Sequence, residues 1–308
     1  MKVPDSVRQE FLRRLGPVVR LDEPLWRHTS FRIGGPADLW VEARTTEEVQ
    51  TTLGLAALYG VPVTVLGAGT NVLVSDRGVR GVVLRLGRPF AVLEWPDGEG
   101  GMRVRAGAAG SLRKLVRAAV ERSLEGLEFA EGIPGTVGGG LLMNAGAFGG
   151  ELGSVVEAVH GVESGGEARV VPKESLRFGY RRMDLPEGFV VTFVEFRLRP
   201  GDPSEIRARM EEARSRRRNS QPRGKPNAGS IFKNPQGTYA GRLIEEAGLK
   251  GARRGGAMIS TKHANFIVNL GSAKAEDVRA LMEEARLVVE KRFGIRLEPE
   301  VRLVGEWD

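Results

Sequence analysis

The chain of 308 residues contains no cysteine. That excludes disulfides, thiolate metal sites and a cysteine nucleophile. Histidine is almost as scarce, occurring only at positions 28, 160 and 263. Their spacing matches no ligand set, so no metal centre is expected. There is no run of about 18 apolar residues, and hence no expected membrane span. The stretch 4–16 is an amphipathic helical pattern with Val7, Phe11, Leu12 and Leu15 on one side. It carries Asp5, Arg8, Glu10, Arg13 and Arg14 and lacks the apolar core of a signal peptide, so a cytoplasmic location is expected. Repeats of 20–50 residues and low-complexity tails are also missing. No G-x-x-x-x-G-K-[ST] occurs, which disfavours a P-loop nucleotidase.

What remains is an ordinary globular composition, 41% hydrophobic and 28% charged, with an excess of 42 glycines. The net charge of +7 is compatible with nucleic acid or with phosphorylated small molecules. The densest basic run, Arg214-Ser215-Arg216-Arg217-Arg218, closes a helical pattern of Ile206, Met210 and Ala213. Cations are favourable at a helix C-terminus. The interleaved aromatics of a single-strand binder are absent, so no nucleic-acid partner is expected. Nothing in the chain indicates an obligate protein partner.

Alternation and turn signals divide the chain into an α+β arrangement. A first lobe, about 20–86, holds a capping box at Thr45 and Glu48, a helix ending at Gly60, and short strands at 62–66, 72–74 and 82–86. A second lobe, about 87–204, opens with a hairpin pattern around the turn 96–101. It continues with a helix after Ser111 and strands at 168–171 and 189–194. The segment 205–308 has a helix at its start, a strand at 265–269 and a long helix spaced on Val278, Leu281, Met282, Ala285, Val288 and Val289.

Three stretches resist a structural explanation. Gly67-Ala68-Gly69-Thr70-Asn71 follows a strand and offers backbone N–H groups with little obstruction, which suits a phosphate or a plain turn. It is not the dinucleotide fingerprint, because Val72 occupies the last glycine position. Glycines 132, 135 and 138–140, then Asn144-Ala145-Gly146, leave almost no side-chain bulk. Each interior glycine costs about 0.5–1 kcal/mol relative to alanine, so close backbone approach to a pyrophosphate or flat ring is the expected return. Asn227-Ala228-Gly229-Ser230-Ile231-Phe232-Lys233-Asn234-Pro235 places a small hydroxyl in a glycine turn beside a lysine and an amide.

Taken together, these stretches resemble the UDP-N-acetylenolpyruvoylglucosamine reductase (UDP-N-acetylmuramate dehydrogenase) family over nearly the whole chain. The resemblance extends to the block 28–37, to Phe178-Gly179-Tyr180-Arg181 and to Leu297-Glu298-Pro299-Glu300-Val301. It implies a two-lobed FAD-binding module of the vanillyl-alcohol-oxidase (PCMH) type over 1–204, then an α+β substrate-binding domain over 205–308. The absence of a tyrosine-bearing segment between Val194 and Ser220 matches the shorter form of the family. Arg182 and Gly140 are departures from the common pattern; Arg182 changes the local charge.

By resemblance, FAD is held non-covalently on Gly67, Ala68, Gly69, Thr70 and Asn71, on Gly132, Ile133, Pro134, Gly135, Val137, Gly138 and Gly139, and on Asn144, Ala145 and Gly146. NADPH is the hydride donor, and a UDP-sugar enolpyruvyl ether is the substrate. Ser230 is the implied proton donor. Arg181 supplies a fixed cation and planar fork for the carboxylate, though the sequence alone also allows a surface cation beside Tyr180. Glu300 would donate to the developing enolate oxygen, which needs a pKa raised by burial or by a nearby carboxylate; an edge-strand glutamate is the alternative. Tyr180, Lys233, Asn234, His263 and Arg218 are the candidates for substrate binding, with His263 equally readable as structural. Another FAD oxidoreductase of this fold, such as an oxidase acting on a hydroxyl, is the competing reading. It leaves the joint presence of Arg181, Ser230 and Glu300 unexplained.

Overall fold

The structure is a computed structural model that describes residues 2–98 and 101–307. Glu99 and Gly100, in the expected turn 96–101, lie outside the described residues. The chain forms two compact units that do not follow chain order. One comprises 1–21, 39–68 and 81–217, and the other 22–38, 69–80 and 218–308.

In the first unit, helix α1 (Asp5–Leu15) buries Val7, Phe11 and Leu15 as its spacing requires. Helix α2 (Thr46–Leu58) starts on Thr45, whose side chain accepts from Glu48 N at 3.1 Å. The Glu48 carboxylate reaches back to Arg44 N at 2.5 Å, so the expected capping box closes one residue early. Helix α3 (Leu112–Glu121) buries Leu112, Leu115, Val116 and Ala119, but the Ser111 side chain makes no cap bond.

A five-stranded antiparallel sheet runs in the order 168–172, 156–162, 190–197, 103–107 and 93–94. A four-stranded sheet contains Val63–Val65, which pairs in parallel with Val79–Leu86. Helix α4 (Val137–Leu142) lies inside the glycine tract. Helix α5 (Pro203–Ser220) begins on Asp202, whose Oδ1 accepts from Ser204 N at 2.8 Å and Glu205 N at 3.1 Å. The core gathers Phe11, Leu39, Leu84, Val104, Leu115 and Phe196, all almost fully buried.

The second unit joins helix α6 (Ala240–Glu246) and helix α7 (Ala275–Phe293) to a three-stranded antiparallel meander at 253–254, 257–259 and 267–269. Val72–Val74 pairs in parallel with Arg302–Val304, Val72 opposite Arg302. That pairing ties a segment from the first quarter of the sequence to the C-terminal core of Phe31, Leu73, Ile231, Phe232 and Leu281. Mixed helices and strands in both units give the α+β class expected.

Candidate active site

Two glycine-rich loops meet in the first unit. A Cβ on Gly67 would stand 2.6 Å from Thr136 Oγ1, so a side chain there would displace Thr136. Thr136 caps α4 by accepting from Gly139 N at 3.2 Å. The glycine tract thus contains a capped helix, and its glycines divide by task. Gly138 seats α4 against the sheet: its N–H donates to Ala108 O at 2.9 Å, and a Cβ would lie 2.9 Å from Ala108 Cβ. Val137 N donates to Gly110 O at 2.8 Å. Val137, Gly138 and Ala145 are buried. Gly146 pairs with Glu151 in a short hairpin. By contrast, Gly132, Pro134 and Gly139 are exposed, and Gly67, Ile133 and Gly135 are half-buried. These residues, with exposed Ala68, leave backbone accessible, which suits an elongated diphosphate.

Gly69, Thr70 and Asn71 belong to the second unit. Gly69 is buried, with φ +63°, and a Cβ would fall 2.2 Å from His28 O. Its lack of a side chain serves backbone packing. Asn71 Nδ2 donates to Glu300 O at 3.1 Å, so its amide helps place Glu300.

Arg181 is the second residue of a two-residue turn between strands 177–179 and 182–184, with Gly179 opposite Arg182. Its φ is +56°, a region that favours glycine. The guanidinium lies 5.2 Å from the centre of the Tyr180 ring. Arg182 is exposed and pairs with Asp184 at 3.3 Å, pointing its charge to solvent. Asn144, expected at the cofactor, also holds this turn. Its buried side chain accepts from Gly153 N at 2.9 Å and donates to Gly179 O at 3.1 Å. Asn144→Ala is expected to cost about 2–3 kcal/mol, because it strands a buried donor and an acceptor. Asn144→Gly, free of any penalty at φ +40°, should lose nearly as much if the two bonds are the cause. Urea unfolding midpoints of both variants check this.

In the second unit, Ser230 follows Gly229 at φ +77°, and Gly229 N donates to Asn227 Oδ1 at 3.0 Å. Ser30 Oγ donates to Asn227 O at 2.7 Å, linking the block 28–37 to this turn. The next residues are fixed by Asn265: Ile231 N donates to Asn265 O at 2.8 Å, and Phe232 N to Asn265 Oδ1 at 2.9 Å. Glu300 N donates to Ile231 O at 2.8 Å, which puts Glu300 on the backbone adjoining Ser230.

Ser230 lines a pocket of about 340 Å³ with Asn234, Tyr239, Lys262 and His263. Asn234 Oδ1 also accepts from Ala240 N at 3.1 Å, capping α6. Lys233 is paired with Glu298 at 3.4 Å. Arg218 is exposed, and its carbonyl accepts from Lys262 Nζ at 2.8 Å. Lys262 was not singled out by the sequence pattern, because a lone lysine before a histidine carries no spacing signal.

His263 packs against Phe266 with ring centres 4.9 Å apart, and its Nδ1 accepts from Asn265 N at 3.2 Å. That bond leaves the proton on Nε2 in the neutral ring. Burial, then the Lys250 ammonium, lower its pKa from the ordinary 6.5. Below 6.5 the unfolded chain binds a proton that the folded chain refuses, so His263 removes stability as pH falls toward its lowered folded value. His263→Gln should flatten that part of the profile, as measured by unfolding free energies between about pH 7.5 and 5.

Among the described residues no group of three or more His, Cys, Asp or Glu side chains could hold a metal. No helix among them is long and apolar enough to cross a membrane.

Residues 37–170 match the FAD binding domain family, and residues 221–304 match the UDP-N-acetylenolpyruvoylglucosamine reductase C-terminal domain family. The chain is 52% identical over 289 residues to UDP-N-acetylenolpyruvoylglucosamine reductase 2 of Symbiobacterium thermophilum, covering 93% of this chain and 92% of that one. It is 46% identical over 297 residues to the Rubrobacter xylanophilus reductase, covering 96% and 98%. The crystal structure of the Thermus caldophilus reductase superposes with a TM-score of 0.80 at 40% identity, over 93% of this chain and 98% of that one. The fold alone is shared with 4-ethylphenol oxidase from Gulosibacter chungangensis, at a TM-score of 0.50 and 16% identity over 96% of this chain and 64% of that one.

Proposed function

The chain belongs to the UDP-N-acetylenolpyruvoylglucosamine reductase family, and we propose that Ser230, Arg181 and Glu300 carry out its reaction. That reaction reduces UDP-N-acetylglucosamine enolpyruvate to UDP-N-acetylmuramate in peptidoglycan precursor synthesis, a step of cell-wall biogenesis. When bound, FAD supplies the hydride to the terminal alkene carbon, and NADPH replenishes it.

The residues present fit the cofactor. Gly67, Ala68, Gly132, Ile133, Pro134, Gly135 and Gly139 offer uncluttered backbone to its diphosphate, with Thr70 beside them in sequence. The association is non-covalent in this reading: cysteine is absent, and His28 Nε2 is engaged with Glu23 Oε1 at 2.8 Å.

Negative charge develops on the substrate's carboxylate side as the hydride adds. Arg181 counters it with a permanent cation. Glu300, in its protonated form, donates to the developing enolate oxygen. Ser230 delivers the proton to the adjacent carbon; a weak acid suffices only against a strongly basic centre at close range. Tyr180, Lys233, Asn234, Lys262, His263 and Arg218 are the residues assigned to the UDP portion. We place the reaction in the cytoplasm, where UDP-sugars and NADPH are available.

The observation that carries this reading is the fixing of Ser230 and Glu300 on adjoining backbone, through the 2.8 Å bond from Glu300 N to Ile231 O. Nothing in a hydrophobic core needs that pair. The purified protein should be yellow, should bleach with NADPH and should regain its colour on addition of the enolpyruvyl UDP-sugar. A colourless protein that takes up no FAD would overturn it.

A further inference from the structure

Arg217 is set apart from the basic run around it. Arg214 pairs with Glu131 and Glu211, each at 3.1 Å, Arg216 pairs with Glu212, and Arg218 is exposed. The Arg217 side chain instead runs against Gly132, where an added Cβ would lie 3.0 Å from Arg217 Cδ. Glycine at 132 thus makes room for an arginine as well as for a ligand. The Phe148 ring centre is 5.5 Å from the Arg217 guanidinium carbon. Arg217 Nε is buried and meets no acceptor among the described residues. Glu131, whose charge acts on Arg217, has its Oε1 engaged with Arg214 and its Oε2 buried without a hydrogen bond among the described residues.

Burial comes first, then the charge of Arg181, in pushing the Arg217 pKa down, with Glu131 offsetting only part. Arginine does not give up its proton in proteins. Arg217 is half-buried, and a partly desolvated cation with an unpaired buried N–H is unfavourable unless an anion meets it.

We infer that Arg217 holds an oxyanion of a bound ligand beside Gly132, with its planar fork donating to the oxygens. The chemistry is that of a carboxylate or phosphate group. Two sources carry it: the enolpyruvyl carboxylate of the substrate, and the diphosphate of the flavin nucleotide. The first source rests on the role proposed above for Arg181, the second on the accessible backbone at Gly132.

Arg217→Met in the full chain decides the matter through two titrations. FAD affinity is read from flavin fluorescence, and sugar-nucleotide affinity from the change in the oxidised flavin spectrum. Loss of a charge-assisted hydrogen bond predicts a weakening of about tenfold or more in one of them. A loss for FAD identifies the diphosphate. A loss for the enolpyruvyl UDP-sugar, with the affinity for UDP-N-acetylglucosamine kept, identifies the carboxylate, since the latter compound lacks one. Should the methionine variant not fold, Arg217→Gln is read in the same two titrations. Both affinities within about twofold of the wild type would overturn the inference, and a lowered melting temperature in that case would assign Arg217 a structural role. Failure of the reductase reading is separable, because the wild type itself would then not bind the enolpyruvyl UDP-sugar.

Discussion

Ser230→Ala is expected to take up FAD and to be reduced by NADPH at the wild-type rate, while its reoxidation by the enolpyruvyl UDP-sugar slows roughly 10²–10⁴-fold. The selectivity follows from position. Asn265 fixes Ile231 and Phe232 from one side, and the Asn227–Gly229 turn fixes the other. Removing one oxygen therefore leaves the backbone of the pocket in place. Only the step that needs a proton at the carbon next to the carboxylate should suffer. Stopped-flow traces of the two half-reactions separate these outcomes. The affinity for the sugar nucleotide, read from the oxidised flavin spectrum, should stay within about threefold, since a hydroxyl exposed to a pocket adds little net binding. Reoxidation at the wild-type rate would remove Ser230 from the mechanism and leave its glycine turn unexplained.

The sequence made the local elements legible where one physical signal dominated. The 3–4 spacing of Val278, Leu281, Met282, Ala285 and Val289 specified α7, whereas only a boundary after 204 was marked and not the Asp202 cap of α5. Partnerships between distant segments left no such mark. The parallel pairing of 72–74 with 302–304 is decided by packing, and it carries Gly69–Asn71 into the C-terminal unit. At the candidate site, missing side chains were visible as glycines, but what each absence accommodates was not. Gly69 admits the His28 carbonyl, Gly138 admits Ala108, and Gly132 admits Arg217. The side-chain amides of Asn144 and Asn71 also hold the backbone at Gly179 and Glu300, contacts between distant segments that no spacing announces. The basic run 214–218 is uniform as a string, and only the helix in three dimensions distinguishes the inward Arg217 from the exposed Arg218.

Arg181→Gly should abolish most activity without weakening the fold, a combination that a structural arginine would not give. At φ +56° a non-glycine residue costs roughly 1 kcal/mol, which glycine relieves. Against this, glycine adds about 0.5–1 kcal/mol of chain entropy to the unfolded state. The two nearly cancel, so the melting temperature should move by no more than about 3 °C. The reaction, however, loses the cation facing the developing charge, and with it roughly 10²–10³-fold in kcat. Arg181→Lys retains a charge but neither the fork nor the relief of strain. It should therefore fall between the wild type and glycine in rate, and melt no higher than the glycine variant. Tight backbone conformations of this kind persist where surrounding bonds over-determine them, and Asn144 supplies one such bond at Gly179. The turn is thus held at some cost to stability in the geometry that presents a guanidinium, where glycine alone would satisfy the backbone. A glycine variant that melts far below the wild type while retaining turnover would reverse this reading and make Arg181 a residue of the fold.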